Sequence, residues 1–493
     1  MKTNRIIILI AALLAPVVAG AVTLSLEKTI ELANDSSLIA FRYRNMYQAS
    51  YWQYVSYRAG RLPSLSLNLT PATYNRYMTQ RYDSEQNIDI FREQQMFSAA
   101  GSLQVSQNFD FLGGTFYLET GLEYMRNFGE NRYTQFSSVP VRFGYRQNLI
   151  GYNAFKWERK IEPLRYEKAK KELVYNMEGV SEQAVTYFFD LALAQAEFRL
   201  AQDNVESCDT MYVIGQRRHK IASISSADLL TLELDKVNAR NTLENSRIAL
   251  KRAMFSLASF LGMDKNTEIE IEMPEKPDAG DIPADLALSL AKANSPTLLG
   301  HRQTILEDKR ELSRAKTEAL FNASVNASVG FNQVADKFAD AYRNPLRQDI
   351  VSLQVTFPLV DWGVRKGKVN MALNNLNVST LAAKQDELQV EEDILMTLSD
   401  YSVRQRLITS ASEAMRLADL AYEQTMQRFL IGKADLNSIT LSLNRKQEAS
   451  KNYISALRNF WQSHFKIRKL TLYDFSTGRS LCDEIENKLR IEN

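Results

Sequence analysis

The stretch that decides the fold runs from Val364 to Ile431: VRKGKVNMALNNLNVSTLAAKQDELQVEEDILMTLSDYSVRQRLITSASEAMRLADLAYEQTMQRFLI. It contains no proline, the residue that breaks helix interiors, so one continuous helix is permitted. At about 1.5 Å per residue this helix reaches ~100 Å, far beyond a usual globular helix. A turn at Gly432 predicts a returning arm, and residues 364–472 are therefore expected to form a long helical hairpin.

The first half of the chain predicts a second hairpin, over residues 156–262. None of the 11 prolines falls between Leu164 and Met273. Apolar residues recur there at a spacing near that of a coiled-coil seam, about 3.5 residues. They are Leu173, Met177, Val180, Ala184, Phe188, Leu191, Phe198, Ala201, Val205, Cys208 and Tyr212. The less regular seam of the other hairpin is expected at Leu373, Leu376, Leu381, Leu388, Leu395, Leu398, Leu407, Ala411 and Ala414.

The elements before each hairpin follow the same order. A short amphipathic helix, a second helix and alternating strand segments appear in both halves, and period-two alternation indicates strands. The second helices are expected at 39–60 and 298–319, and the strands of the second half at 322–332 and 350–359. We therefore predict two tandem repeats, residues 22–275 and 280–475, followed by a C-terminal tail, 476–493.

One segment of the first half has no counterpart in the second. Two further alternating segments lie between Ser98 and Asn127, and Gly113-Gly114 between them is a hairpin signal. We expect residues 98–127 to form an extra hairpin at an extracellular face or rim.

Residues 1–21 read as a secretory signal peptide. Lys2 and Arg5 precede a short apolar run, and Ala19-Gly20-Ala21 is a small-residue cleavage site. An exported protein is expected. The 60 basic and 58 acidic residues are interspersed, with a net charge of +2, which gives no reason to expect nucleic acid as a partner. Cys208 and Cys482 are not expected to pair.

No motif in the sequence predicts enzyme chemistry. The three histidines, His219, His301 and His464, lie far apart, and neither a zinc-binding pair nor a phosphate-binding glycine loop is present. We expect no enzyme activity, no cofactor and no metal site.

The strand segments require partners from outside the chain. About four strong strands of roughly 10 residues are too few to close a barrel, and a lipid bilayer tolerates no open sheet edge. The strands must therefore close against other copies in a ring-shaped oligomer. Tyr and Phe are abundant between residues 74 and 157, which favours an aromatic girdle at a membrane interface, with a carbohydrate-binding surface as the competing interpretation.

The sequence resembles the TolC-like outer-membrane factor (outer membrane efflux protein) family. Leu24-Ser-Leu-Glu-Lys-Thr-Ile-Glu-Leu-Ala resembles the family's opening helix, and Arg58-Ala-Gly-Arg-Leu-Pro-Ser-Leu-Ser-Leu its helix-to-strand junction. Phe357-Pro-Leu-Val-Asp-Trp-Gly-Val-Arg resembles the junction before the long helix. Ser226-Ala-Asp-Leu-Leu and Asp435-Leu resemble the two hairpin tips. The match covers nearly the whole mature chain.

The resemblance implies a mainly α fold with transmembrane β structure. Three copies would form a twelve-stranded β-barrel, four strands from each, in contact with outer-membrane lipid of a Gram-negative bacterium. Below it would lie an α-helical periplasmic tunnel of long coiled-coil hairpins. The homotrimer would meet a periplasmic adaptor (membrane fusion) protein coupled to an inner-membrane RND or ABC-type pump. The channel would be a passive exit duct of a tripartite efflux system.

The same resemblance places candidate functional residues at the hairpin tips. Asp228, Asp435 and Asn437 are candidates for the pore constriction, where a ring of carboxylates favours cations. For the two aspartates the competing interpretation is helix capping, because an anion is favoured at a helix N-terminus. The candidates for adaptor docking are Lys220, Ile221, Ile431, Gly432 and Lys433, because a helix-turn tip exposes an apolar isoleucine beside a cation. Ordinary exposed turns are the competing interpretation of these residues.

Two alternatives stay open. An exit duct for type I protein secretion would share the same tunnel, and the sequence does not separate the two cargos. A periplasmic coiled-coil scaffold without a pore would explain the helices and the signal peptide, but not the strand segments in both halves.

Overall fold

A computed structural model describes residues 22–83, 87–111, 113–128, 132–150, 152–221, 224–274, 280–431, 433–483 and 485. The predicted signal peptide and the last residues of the predicted tail lie outside this part. The chain divides into two compact units. The helical unit comprises the described residues of Met1–Gln48, Ala169–Pro296 and Glu387–Asn493. The sheet unit comprises those of Ala49–Lys168 and Thr297–Asp386.

The sheet unit contains a six-stranded antiparallel sheet in the order β2-β3-β4-β5-β7-β8. Its strands are β2 (Ser64–Asp83), β3 (Ile88–Phe109), β4 (Gly114–Asn127), β5 (Tyr133–Ile150), β7 (Asn322–Ala335) and β8 (Leu346–Thr356). The expected count of four strands is therefore wrong for this chain. The first half supplies four strands and the second half two. Strands β2 and β8 are the two edges of this sheet.

The expected rim position of residues 98–127 is also wrong. The segment forms the second half of β3 together with β4, and it lies inside the sheet. Each of these strands is hydrogen-bonded on both sides, β3 to β2 and β4, and β4 to β3 and β5. A different part of the first half extends beyond the rest of the sheet. Strands β2 and β3 stay paired as far as Asp83 and Ile88, whereas β4 ends at Asn127, opposite Met96 of β3.

The sheet has one apolar and one polar face, as period-two alternation requires. On β2, Leu65, Leu67 and Leu69 share one face and the intervening Ser66 and Asn68 the other. Most of the large apolar side chains on the apolar face are exposed, for example Leu65 at 66%. A single chain therefore leaves this face uncovered.

A short 3₁₀ helix, Phe338–Tyr342, connects β7 to β8. Ser138 on β5 donates a hydrogen bond to the carbonyl oxygen of Ala341, and both residues are buried. The Phe136 and Phe338 rings meet edge to face. The connection therefore folds back onto the sheet and packs against it.

The helices fall into two sets of matching length. Short helices open each half: α1 (Leu26–Ser36), α2 (Leu38–Ala59), α5 (Ala284–Asn294) and α6 (Pro296–Glu318). The long hairpins are α3 (Ala154–Lys220) with α4 (Ser226–Leu261), and α7 (Val364–Leu430) with α8 (Leu436–Thr471). Helices α3 and α7 each have 67 residues, and α4 and α8 each have 36. Among the described residues, no helix combines the length and apolar character needed to cross a bilayer.

Most of the positions predicted for the α3 seam are buried. Buried positions include Val180, Ala184, Phe188 and Leu191, each almost fully excluded from solvent. Phe198, Val205 and Tyr212 are half-buried. These side chains pack in the core of the helical unit, as the regular spacing indicates.

The seam predicted for α7 is largely exposed in a single chain, although its Leu398 packs against the core of the helical unit. Leu381, Leu388 and Leu395 are exposed, whereas Ile394, Tyr401 and Ile408 are buried. The exposed leucine stripe and the buried stripe have the same seven-residue spacing and lie on different faces of one helix. The spacing alone therefore does not show which of the two stripes is buried. The leucine stripe has no cover within one chain.

The core of the helical unit contains a partly buried ion network. The Arg468 guanidinium on α8 donates to both carboxylate oxygens of Glu178 on α3, at 3.0 and 3.2 Å, and to Asp474 at 2.8 Å. The Arg468 guanidinium also lies over the ring of Phe465, which belongs to the apolar core of this unit. Charged groups at this depth are stable only when paired and hydrogen-bonded in this way.

Two small sheets complete the helical unit. Strands β1 (Val22–Leu24) and β6 (Ile269–Ile271) pair in parallel, and β9 (Tyr473–Asp474) and β10 (Arg479–Ser480) pair antiparallel. Leu481 is buried, so the beginning of the segment predicted as a tail is packed. Cys208 and Cys482 are not joined by a disulfide, and Cys208 is buried. Burial raises the pKa of the Cys208 thiol to about 11.

Candidate functional site

The first hairpin tip is built by complementary helix ends. Helix α3 ends in a strongly basic turn, Arg217 to Lys220, where the helix dipole favours cations. Helix α4 begins after Ser225, whose hydroxyl accepts from the Asp228 amide at 3.1 Å. The Asp228 carboxylate in turn accepts from the Ser225 amide at 3.1 Å. This reciprocal capping box satisfies two amides that the helix itself leaves free.

The second tip uses a simpler cap. The Asp435 carboxylate accepts from the Ser438 amide at 2.9 Å and caps α8. Hydrogen bonds hold the pKa of both tip carboxyls below the usual value, from Ser225 to Asp228 and from Ser438 to Asp435. Both aspartates therefore cap helices. Asn437 lies next to the cap in the first turn and is exposed.

An apolar cluster joins the two hairpins just behind their tips. Cys208 and Met211 of α3 pack with Leu232 of α4, and with Phe429 and Ile439 of the second hairpin. Gly215 permits close approach of α4, because a Cβ there would lie 2.4 Å from a methyl carbon of Leu232. The two tips are therefore parts of one packed structure.

Arg218 links the two tips directly. Its guanidinium donates to the Phe429 carbonyl oxygen at 2.8 Å and lies 5.1 Å from the centre of the Phe429 ring. The bond satisfies a carbonyl in the last turn of α7, where the helix leaves carbonyls unpaired. Sequence reasoning missed Arg218, because the two partners are far apart in the chain.

Each hairpin also carries a matching ion pair between its arms. Lys236 lies 3.0 Å from the Asp209 carboxylate and stands over the Tyr212 ring. Lys446 lies 3.2 Å from the Asp419 carboxylate and stands over the Tyr422 ring. The members of each equivalent pair, such as Asp209 and Asp419, are separated by the same number of residues. That constant offset was a usable signal in the sequence.

The candidate docking residues occupy the outermost part of the tips. Ile221 is 75% exposed and Ile431 is 67% exposed. Lys220 and Lys433 are also exposed, whereas Gly432 lies outside the described residues. Each tip therefore presents an exposed isoleucine close to a cation. Within the described residues no group of three or more His, Cys, Asp or Glu side chains is arranged to hold a metal ion.

These features define a class of fold: long paired helical hairpins joined in one chain to an antiparallel sheet with uncovered apolar side chains. No model of a known protein family matches the sequence, and no curated protein sequence matches it. Solved structures do match, and among them are outer-membrane channels.

The CmeC outer membrane channel of Campylobacter jejuni is 13% identical with a TM-score of 0.63, over 90% of this chain and 85% of that one. VceC of Vibrio cholerae is 13% identical with a TM-score of 0.63, over 91% of this chain and 95% of that one. The open state of the Neisseria gonorrhoeae MtrE channel is 12% identical with a TM-score of 0.58, over 90% and 88%. The chain therefore has the fold of these outer-membrane proteins, which agrees with the fold that the resemblance predicted.

Proposed function

We propose that the protein is an outer-membrane channel subunit that works as a homotrimer and carries out no enzymatic reaction. It is the passive exit duct of an efflux system, and it receives substrates from an inner-membrane RND or ABC-type pump through a periplasmic adaptor protein. The outer membrane of a Gram-negative bacterium holds the sheet, and the helices extend into the periplasm. The proposal also treats the two halves of the chain as tandem repeats.

The observation that carries this proposal is the two-faced sheet with two unpaired edges. Its apolar face is largely exposed in one chain, and its opposite face carries mostly hydroxyl and amide side chains. Outer-membrane barrels alternate in this way between lipid and lumen. The open edges at β2 and β8 cannot persist in lipid, which favours closure with further copies of the same chain.

Uncovered helix faces support the same oligomer. Leu388, Leu395 and Leu407 are exposed on α7. Leu230 and Leu234 form part of a similar stripe on α4. Apolar stripes of this length normally pack against another helix. A second copy of the chain is the partner with matching long helices, so we assign both stripes to contacts between subunits.

The tips are assigned to gating and docking. Asp228, Asp435 and Asn437 are proposed to face the narrow end of the duct, and both aspartates retain their capping bonds there. Lys220, Ile221, Ile431, Gly432 and Lys433 are proposed to meet the adaptor. The exposure of the two isoleucines supports this assignment, because an apolar side chain in solvent gains free energy when a partner covers it.

Two alternatives make different predictions. A type I secretion duct has the same trimeric structure, and only the cargo distinguishes it. A pore-less periplasmic scaffold is disfavoured by the exposed apolar side chains of the sheet, which would have no lipid to cover them. Purification without detergent would favour the scaffold, because a lipid-exposed sheet aggregates in water.

The test is purification in detergent, measurement of the detergent-corrected mass by light scattering, and particle imaging. The proposal expects a trimer, followed by recovery of drug resistance when the chain is expressed with its adaptor and pump in a channel-deficient strain. A detergent-independent monomer or dimer would contradict the channel. A trimer that exports a protein substrate and no small molecules would favour the secretion duct.

A further inference from the structure

The extra strands of the first half lie in the middle of the sheet. Spatial order follows chain order from β2 to β5, and the second-half strand β7 pairs with β5. The cross-strand partners Leu65–Val105, Val105–Leu118 and Leu118–Phe143 run without interruption across the four strands. The β3–β4 hairpin therefore lies between β2 and β5 and keeps these two strands apart.

Both extra strands continue the two faces of their neighbours. One row on the apolar face crosses the sheet from β2 to β7, and one row on the polar face crosses it from β2 to β8. The apolar row is Leu65, Val105, Leu118, Phe143 and Val329. The polar row is Ser66, Gln104, Glu119, Arg142, Gly330 and Gln348. A loop at the rim of a barrel is not required to alternate apolar and polar residues in register with the barrel strands, whereas a strand within the barrel is.

Polar side chains also tie β4 to strands from the second half. The Tyr117 hydroxyl on β4 lies 3.3 Å from the Asn326 amide oxygen on β7, and the ring is buried. The ring crosses β5 over Gly144, because a Cβ there would lie 2.2 Å from a ring carbon. Arg142 stands between Glu119, at 3.8 Å, and the Gln348 side-chain oxygen, at 3.3 Å. The hairpin is thus bonded into the sheet on its polar face.

We propose that the β3–β4 hairpin is part of the channel wall, so that three copies close eighteen strands, six from each, in place of the twelve that the family resemblance implies. The inference rests on the proposed function. Barrel diameter grows roughly linearly with strand number, so the outlet is about 1.5 times wider and its cross-section about twice as large. The outlet then admits bulkier hydrated solutes.

The occupant of each open edge is a second copy of this chain. Leu65, Leu67 and Leu69 on β2 and Val351, Leu353 and Val355 on β8 are exposed. On both strands these apolar residues alternate with polar ones, so β2 of one copy and β8 of the next continue both faces when they pair. Backbone amides and carbonyls at both edges gain hydrogen bonds that lipid cannot supply.

Cysteine labelling in the native membrane tests whether the β3–β4 hairpin forms part of the channel wall. In a C208A/C482S background, single cysteines replace Leu103, Gln104, Val105 and Ser106 on β3, with Ser352 and Leu353 on β8 as the control pair. A water-soluble maleimide should label Q104C, S106C and S352C at least ten-fold faster than L103C, V105C and L353C. Equal labelling of all four β3 positions, with alternation kept on β8, would overturn the inference and leave the proposed channel intact.

Imaging of the purified trimer measures the number of strands in the barrel and the diameter of its lumen. The wild-type wall should show eighteen strands. A variant lacking residues 88–127 leaves β2 and β5 as antiparallel neighbours and should show twelve strands and a lumen about 1.5 times narrower. The largest maleimide-polyethylene glycol that reaches S352C from outside should shrink accordingly. If the variant does not fold, the wild-type strand count decides: twelve strands with the hairpin outside the wall contradict the inference. Absence of any trimer would instead contradict the proposed function.

Discussion

The two helical hairpins have the same lengths but different ends. At the end away from the tip, the first hairpin has Ala258 and Gly262 where the second, at the same offset along the chain, has Arg468 and Leu472. Ala258 is a fully buried small side chain, whereas Arg468 holds two carboxylates. The backbone of the hairpin is therefore kept in both halves. Only the second hairpin supplies an arginine at this position, and that arginine pairs with Glu178 of the first hairpin.

The largest difference expected between the hairpins comes from that network. Arg468→Ala should lower the free energy of unfolding by about 3–5 kcal/mol, because it leaves the Glu178 and Asp474 carboxylates partly buried without their partner. Arg458→Ala, on the same helix, removes a more exposed pair with Asp190 and should cost less than about 1 kcal/mol. Chemical unfolding of the protein in detergent checks both. Similar costs for the two variants would show that the network contributes no more than a surface pair.

The second-largest difference between the hairpins should be the pH dependence of their stability. His464 in the second hairpin occupies the position that Met254 holds in the first. Burial, aided by the charge of Arg468, lowers the pKa of His464 to about 4 from its usual 6.5. Between these values the unfolded chain binds the proton and the folded chain does not. Stability is therefore complete above pH 6.5 and falls as the pH drops towards 4, by up to about 3 kcal/mol.

The matching variant is His464→Phe, which suits the surrounding Tyr401, Phe460 and Trp461 rings. Thermal unfolding of wild type and variant between pH 4.5 and 7.5 measures the difference. The variant should lose less stability than wild type on acidification. Parallel curves for the two proteins would exclude His464 as the source of the dependence.

Of the two helix ends, Gly262 should respond to substitution as backbone strain predicts, whereas Leu472 should respond in the opposite direction. Both residues adopt left-handed backbone angles, with φ of 72° and 51°. Leu472→Gly relieves about 1–2 kcal/mol of strain but loses a fully buried leucine, worth about 2–5 kcal/mol, so it should destabilise by about 2 kcal/mol. Gly262→Ala should cost about 1 kcal/mol, since its Cβ would lie 3.1 Å from the Ser36 carbonyl oxygen. If Leu472→Gly raises the free energy of unfolding, relief of backbone strain outweighs the loss of the buried leucine, and the prediction is wrong.

The smallest effects distinguish the caps at the two tips. Asp435→Ala removes a cap and should cost about 1 kcal/mol, while Asp435→Asn keeps a capping oxygen and should cost only a few tenths. The same pair of changes at Asp228 gives the comparison within the capping box. If Asp435 lines the pore, Asp435→Asn should also reduce cation selectivity in planar bilayers. Unchanged selectivity would leave Asp435 with capping alone.

Much of the fold was readable from the sequence because the long helices carry regular signals. The α3 seam from Val180 to Leu191 follows the buried stripe, and the proline map gives the hairpins. The α7 stripe misled, because Leu388 and Leu395 have coiled-coil spacing but lie uncovered in one chain. Periodicity reports an apolar face, and it does not say whether that face meets the same chain or another copy.

The strands and the site contacts were harder to predict for different reasons. Strands β2 and β3 extend into segments rich in charged and amide side chains, such as Arg76 to Asp83, where alternation is weak. Backbone pairing across the hairpin forms there regardless of side-chain type. The Arg218–Phe429 and Arg468–Glu178 contacts join residues far apart in the chain, and no local pattern marks such pairs.

The equal lengths of the hairpins constrain how this chain can change during evolution. An insertion in α3 alone would shift Arg218 away from Phe429 and separate the tips, so a tolerated change of length would have to occur in both hairpins together. The length of the sheet segment is not restricted in this way. An added hairpin of two antiparallel strands returns the chain to the same end of the sheet from which it started. Insertions and deletions among relatives should therefore accumulate between α2 and α3, where β3 and β4 lie in this chain, and should be rare in the helical arms.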